Sequence, residues 1–401
     1  MGGKWDSDGF TAHCKGPKCS GLGVKDYDFG LTGLSLLAFL DAGKAAAPGE
    51  FAKVVKNGVL FLKVLQNEKG FIGARIGGVP MYDHTISTLA LCRTFSADPS
   101  LPLKKTIRKA LDYISNARNP YAAWRYYPRY ENDTSVTGWV TITLATAWDA
   151  GWKSKKEDFQ GAAAWFRAMT DPRTGRVGYT EPGSPPARSE EMADKFPSEK
   201  SESLTALALE ARLRMGMKLK RKSPLEKAVG LLLKAKPAWE KGSIDMYYWF
   251  FGTRALALVG GRPWKEWRKA VLNAVMPHQR KSGCARGSWD PVGAWGTEGG
   301  RIYSTALMVG VLETCLKKRG ERRKRSIPSS SFPVMRPEYL AKILEGLAPK
   351  DAAELIKGWM PRDKEFVIRI FKAMKHEKAL TIFGRLPFKM GDFLKKKLKE
   401  K

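Results

Sequence analysis

Five carboxylates stand at or just before apolar stretches of this chain: Asp28, Asp83, Asp133, Glu202 and Asp245. On helices packed side by side they would gather at one mouth, and two carboxyls facing each other can do acid–base chemistry on a glycan. Aromatic residues at helix starts would stand beside them at that mouth: Tyr82, Tyr247, Tyr248, Trp249 and Tyr303, with Tyr126 and Tyr127 ahead of Asp133. Asp83, Asp133, Glu202 and Asp245 are therefore the candidate catalytic acids. Tyr82, Asp83, His84, Asp133, Tyr247, Tyr248, Trp249 and Tyr303 are the candidate ligand-binding residues. A plainer role is open to all of them. An acid or hydroxyl at a helix start is an ordinary N-cap, worth ~1 kcal/mol, and His84 serves equally as a cap or a wall residue.

Thiol and imidazole chemistry is sparse, with five cysteines and four histidines. Cys14 and Cys19 are spaced for a loop-closing disulfide or a plain pair of thiols, and a bond closing so short a loop adds ~2 kcal/mol at most. With His13 and Asp6 or Asp8 the same residues could hold a metal, but the spacing favours the structural pair. No metal or cofactor is expected.

The elements that carry these residues repeat. The sequence reads YDFGLTGLSLLAFL from Tyr27, YDHTISTLALC from Tyr82 and NDTSVTGWVTITLA from Asn132. It continues with SESLTALALEA from Ser201, MYYWFFGTRALAL from Met246 and RIYSTALMVGVLE from Arg301. Each is a run of about three turns, apolar on every side, which predicts a helix buried on every side. Amphipathic stretches alternate with them at Gly49–Asn67, Leu103–Asn116, Lys156–Met169, Leu225–Ala235 and Trp264–Val275, and these read as outer helices. Glycine and an aromatic mark most joins, as in GGKWDSDGF from Gly2 and CARGSWDP from Cys284. The pattern predicts an all-α fold, an α/α toroid of about six helical hairpins over residues 1–318 with the inner helices around a cavity. Six inner helices meet only five outer ones. The chain also opens inside a joining turn, so either the true N-terminus lies upstream or the ring closes with a helix missing; a cytoplasmic location is the default, and an upstream signal stays open.

Beyond the ring the composition changes. KKRGERRKR at Lys317–Arg325 leads into a Pro/Ser-rich linker, 319–333, and then a small all-α domain of short helices over 334–401. No stretch approaches the ~18 apolar residues of a membrane span. The 43% of hydrophobic and 27% of charged residues exclude disorder throughout. The net charge of +30 favours acidic partners, and anionic lipid or RNA at Lys317–Arg325 is the expectation it raises.

The repeat and its joins, with Gln66 to Gly70-Phe71 nearest to a Gln-x-x-x-Gly-x-Trp signature, resemble the squalene-cyclase and protein-prenyltransferase superfamily. Within it, WDSDGF, YDHTISTLALC, NDTSVTGW and GSWDPVGAWGTEGGRIYSTAL are similar to the prenyltransferase/squalene-oxidase-repeat proteins of planctomycete type. The tail resembles the helical N-domain of magnesium transporters and the flagellar rotor-switch protein, which implies a protein partner for 334–401. The resemblance implies an apolar or peptide ligand in the cavity. It also shows where chemistry departs. Against the Asp-x-Asp-Asp-Thr motif of class II cyclases, Tyr130, Glu131, Asn132, Asp133 and Thr134 put Asn132 in the acid's place, and no Asp, Cys and His set for a prenyltransferase zinc appears. Isoprenoid binding without standard catalysis is the leading expectation; a two-carboxylate glycan hydrolase or lyase and a non-catalytic scaffold are the alternatives. The unmodified protein should therefore form no cyclic product from squalene. Neither should Asn132→Asp, because the flanking carboxylate is missing at Tyr130. Gas chromatography of the extracted products checks both, and product from the parent chain would overturn the alignment.

Overall fold

The computed structural model describes residues 2–43, 49, 51–74, 78–120, 122–317, 336–361 and 363–399. The helices are α1 (Asp28–Asp41), α2 (Ala52–Val64), α3 (Pro80–Ala97), α4 (Lys104–Ala117), α5 (Thr134–Asp149) and α6 (Lys156–Ala168). After the single turn α7 (Glu190–Ala193) come α8 (Ser203–Arg214), α9 (Pro224–Lys234), α10 (Met246–Val259), α11 (Gly261–Val275) and α12 (Gly296–Leu316). The tail holds α13 (Pro337–Gly346), α14 (Pro349–Trp359), α15 (Lys364–Ala373), α16 (His376–Phe383) and α17 (Phe388–Lys399). None is long and apolar enough to cross a membrane.

The six apolar helices α1, α3, α5, α8, α10 and α12 each pack on the next, and α12 packs back on α1. The ring is closed, an α/α toroid. Outer helices α2, α4, α6, α9 and α11 lie against it with one face buried. Helix α4 shows why. Thr106, Ile107, Ala110, Leu111 and Ile114 fall at three- and four-residue spacing and are buried, while Lys104, Lys105 and Arg108 stay exposed.

The inner helices still carry many hydroxyls, and their role repeats around the ring. In five of the six turns leading into inner helices, one main-chain amide donates to a side chain just inside the following inner helix. Trp5 N donates to Thr32 Oγ1 (2.9 Å), Trp124 N to Thr137 Oγ1 (3.2 Å), Val177 N to Thr205 Oγ1 (3.2 Å) and Trp289 N to Thr305 Oγ1 (3.3 Å). In the second repeat His84 replaces the threonine, accepting from Ile72 N at 3.1 Å. Gln66 adds a second clasp, donating to the carbonyls of Gly70 (3.0 Å) and Thr106 (2.9 Å). At Gly70 (φ +91°) a Cβ would strike the Lys109 carbonyl, so the turn needs glycine there.

Among the described residues, the segment before α1 closes the ring against α12. Val24 N donates to Glu298 O (2.9 Å), and Arg301 N to Gly21 O (2.7 Å). Between them α12 breaks its helical path at Gly300 (φ 66°, ψ −166°), where any side chain would collide with Leu22 and Gly23. At the C-terminal ends of the inner helices an ion-pair plug fills the ring. Asp41 accepts from Arg93 (2.8 Å) and Lys317 (2.9 Å), and Glu210 from Arg254 (2.9 Å) and Arg214 (2.7 Å). Burial opposes the charge on Asp41, but Arg93, Arg254 and Lys317 hold its carboxyl well below the usual range.

In the tail, α13 packs on α15, α14 on α16 and α15 on α17. The tail also sits on the ring. Helix α13 lies against α6, and Arg167 of α6 stacks on Trp359 (4.9 Å) and Phe366 (4.5 Å). The basic run after Lys317 and the linker expected over 319–333 fall outside the described residues.

Two outcomes follow from these contacts. Thr137→Val removes the partner of a buried amide and should cost about 1–3 kcal/mol in a denaturant titration, the penalty of an unsatisfied buried group. After cleavage at a protease site inserted in 319–333, the tail should co-elute with the ring on gel filtration, and Arg167→Ala should release it more readily.

Candidate functional site

The cavity opens at the N-terminal ends of the inner helices, the mouth where the carboxylates were expected. Its volume is about 440 Å³, within the ~300–1,000 Å³ usual for ligand pockets. Tyr27, Leu31 and Leu34 come from α1 and the turn before it, Tyr82, Asp83 and Ile86 from α3, and Ser135 and Trp139 from α5. Leu204 of α8, Tyr247 of α10, and Trp295, Glu298 and Tyr303 at and within α12 complete the ring. Tyr126, Tyr179 and Arg188 reach in from the joining segments.

The polar tips on this wall bind one another. Tyr82 OH donates to Ser135 Oγ (2.5 Å), Ser135 Oγ meets Tyr247 OH (2.8 Å), and Trp139 Nε1 donates to the same Tyr247 oxygen (2.9 Å). The Tyr126 and Tyr179 hydroxyls bond to each other. What such a wall has left to offer is mainly ring surface. Burial raises the Tyr247 and Tyr303 hydroxyls above the ordinary phenol range. Burial, with Glu298 beside it, lifts Tyr27 to about 12. These tyrosines stay neutral.

Of the expected residues, Tyr82, Asp83, Tyr247 and Tyr303 line the cavity. Asp83 is buried, and its Oδ1 accepts from Gly30 N (2.9 Å) and Oδ2 from Ala74 N (3.4 Å). Burial outweighs those amides and raises its carboxyl to about 7. Asp133 stands behind the wall. It caps α5 through Val136 N (2.7 Å), and its Oδ2 is buried without a hydrogen-bond partner. Arg125 Nε lies 3.8 Å from that oxygen and its guanidinium stacks on Tyr126 and Tyr179. Burial, partly offset by Val136 N and Arg125, raises Asp133 to about 7.

The remaining expected residues are spent on the scaffold. Asp245 caps α10 through Tyr248 N (2.9 Å), while its Oδ2 accepts from Arg188 (2.8 Å) and Ser201 (2.8 Å). Glu202 accepts from Arg176 Nε (2.9 Å) and Thr205 Oγ1 (2.8 Å). Tyr248 donates to Ala235 O (2.9 Å) and packs on Trp267; Trp249 packs on Trp239. His84 is fully buried between Ile72 N and, at 3.0 Å, Ala110 O, and burial lowers its pKa to about 4. Asn132, in the cyclase acid's place, accepts from Asn119 (3.0 Å) and Ala123 N (2.9 Å) inside its turn. Cys14 and Cys19 are free thiols, and exposed His13 ends a 3₁₀ turn beside Cys14. Sequence reading missed Glu298, Arg188, Tyr179, Trp139 and Trp295. Glu298 and Trp295 lie in the quoted GAWGTEGG stretch, but nothing in the sequence placed their short turn ahead of the Gly300 break.

No family model matches the chain, and no curated protein matches it. Among solved structures it is similar to a GH76 α-mannanase of Bacteroides thetaiotaomicron, with a TM-score of 0.52 at 10% identity over 76% of this chain and 88% of that one. It is also similar to a GH76A α-1,6-mannanase from Salegentibacter (TM-score 0.49, 14% identity, 75% and 91% covered). The type II terpene cyclase MstE from Scytonema gives a TM-score of 0.48 at 14% identity, with 79% and 92% covered. At such identities the likeness speaks for the α/α-toroid fold alone.

Asp133 gives a test by pH. Its folded carboxyl keeps a proton up to about pH 7, against ~4 for an unfolded aspartate. The folded state thus binds the extra proton between those values, and the contribution of Asp133 to stability falls as pH rises through that window. Asp133→Asn keeps a cap acceptor and removes the titration. Relative to the parent, the variant should gain ~1 kcal/mol or more from about pH 5 to about pH 8 in denaturant unfolding. A constant difference would show an ordinary carboxyl.

Proposed function

We propose that the toroid binds an isoprenoid-type apolar ligand in its cavity, as a member of the planctomycete-type prenyltransferase/squalene-oxidase-repeat proteins, without standard cyclase or zinc prenyltransferase catalysis. The mutually bonded hydroxyls of the wall carry this reading. With Tyr82, Ser135, Tyr247 and Trp139 bonded to one another, the cavity presents aromatic faces beside Leu31, Leu34, Ile86 and Leu204. Such a surface suits an unsaturated hydrocarbon chain. Asn132, in the cyclase acid's place, is held inside its turn, and His84 has both ring nitrogens engaged, so both residues serve the scaffold.

One observation favours a second reading. Asp83 and Glu298 share the wall with Tyr27, whose hydroxyl donates to Glu298 at 3.3 Å. Two carboxyls, one of them raised to about 7, are the equipment of a glycan hydrolase or lyase. The roles of the tail in binding a protein and of the run at Lys317–Arg325 in binding anionic lipid or RNA belong to the same proposal.

Native mass spectrometry of the purified full chain separates these readings. An adduct that passes into organic solvent, and that Tyr247→Ala weakens at least several-fold, is the expected result. A sugar adduct, abolished by Asp83→Asn, would replace it with the glycan reading, and a peptide adduct with the scaffold.

A further inference from the structure

Cys284 joins Cys14 and Cys19 although it lies 270 and 265 residues from them in the chain. One sulfur from each lies within 4.8 Å of the other two. Zinc bound by thiolates at ~2.3 Å in a tetrahedron places its sulfurs ~3.8 Å apart, so small side-chain rotations suffice to close the three around one ion. The main chain is already arranged for this. Cys19 N points at Cys14 Sγ (3.4 Å), an amide–sulfur contact that stabilises a thiolate. Cys284 sits in a tight loop held by Arg280 N to Ser288 O (2.9 Å) and Gly287 N to Arg280 O (2.8 Å).

Buried Arg301 locks the two segments together before any ion arrives. Its Nε donates to Ser20 O (2.9 Å), next to Cys19, and its other nitrogens to Ser288 Oγ (2.9 Å) and Asp290 (2.6 Å), beyond Cys284. Arg280 grips the same Asp290 at 2.6 Å. The net charge of −1 from three thiolates on a divalent ion is balanced by Lys15, Lys18 and Lys281, close by in sequence. Cys284 is exposed, which leaves the fourth position to water.

We propose that Cys14, Cys19 and Cys284 form a three-thiolate zinc site that staples the segment before α1 to the turn before α12, across the seam where the ring closes. Soft thiolates select zinc over magnesium or calcium. Binding replaces the three thiol protons, which go to solvent, and involves no change of oxidation state.

The test uses the untagged full chain, isolated under argon, given zinc, and desalted. Elemental analysis should find about one zinc per chain, and cobalt in its place should give a thiolate-to-metal charge-transfer band. Cys284→Ser, at an exposed loop position, should lose both while keeping the helical circular-dichroism spectrum, and Cys14→Ser should do the same. Chelator should lower the melting temperature of the parent but not of Cys284→Ser. Parent protein that retains no zinc, Cys284→Ser that retains as much as the parent, or an intact mass two hydrogens low from a Cys14–Cys19 disulfide would each overturn the site.

Discussion

The bond from a joining turn's main-chain amide to a side chain of the inner helix after it, made at five of the six inner helices, is the contact on which the ring depends. An inner helix buried on every side has no solvent to satisfy the loop that enters it, so the loop's amide must find a partner in the helix itself. Threonine one turn in supplies that partner in four repeats, and His84 in a fifth. Fixing the turn fixes where the next helix begins, and six helices begun at one level enclose the cavity at their N-terminal ends.

The two ends of the ring then take opposite characters. At the N-terminal end the helix dipoles favour carboxylates, and Asp133 and Asp245 cap their helices there while Asp83 faces the cavity. At the C-terminal end they favour cations, and Arg93, Arg254, Arg214 and Lys317 surround Asp41 and Glu210. Among the described residues, this plug fills the ring at the end opposite the cavity's mouth. The ring's acids are of two kinds as a result: Asp41, surrounded by cations, keeps its charge, whereas Asp83 and Asp133, buried with mostly amides for company, hold their protons to about pH 7.

Closure of the ring brings the ends of the toroid's chain together. Gly300, Arg301 and the turn before α12 meet residues 20–24, and the same meeting assembles the three cysteines. The segment before α1 thus contacts the last inner helix where, in the other repeats, a joining turn meets its inner helix.

The sequence by itself determined the helices, their alternation and the end of the ring at which the acids lie. These follow from local periodicity and composition, and the glycine-aromatic joins mark where each hairpin turns. It also made Asn132 unfit as an acid, a matter of side-chain chemistry alone. Only the tertiary structure decided which acids face the cavity. Asp83 and Asp245 look alike along the chain, yet one lines the wall and the other is consumed by Arg188 and Ser201, which lie 57 and 44 residues from it in sequence. The same holds for Tyr247 and Tyr248, neighbours that a helix turns ~100° apart, one to the cavity and the other to Trp267. Cys284 could not be joined to Cys14 and Cys19 by spacing, since their proximity exists only once the ring has closed.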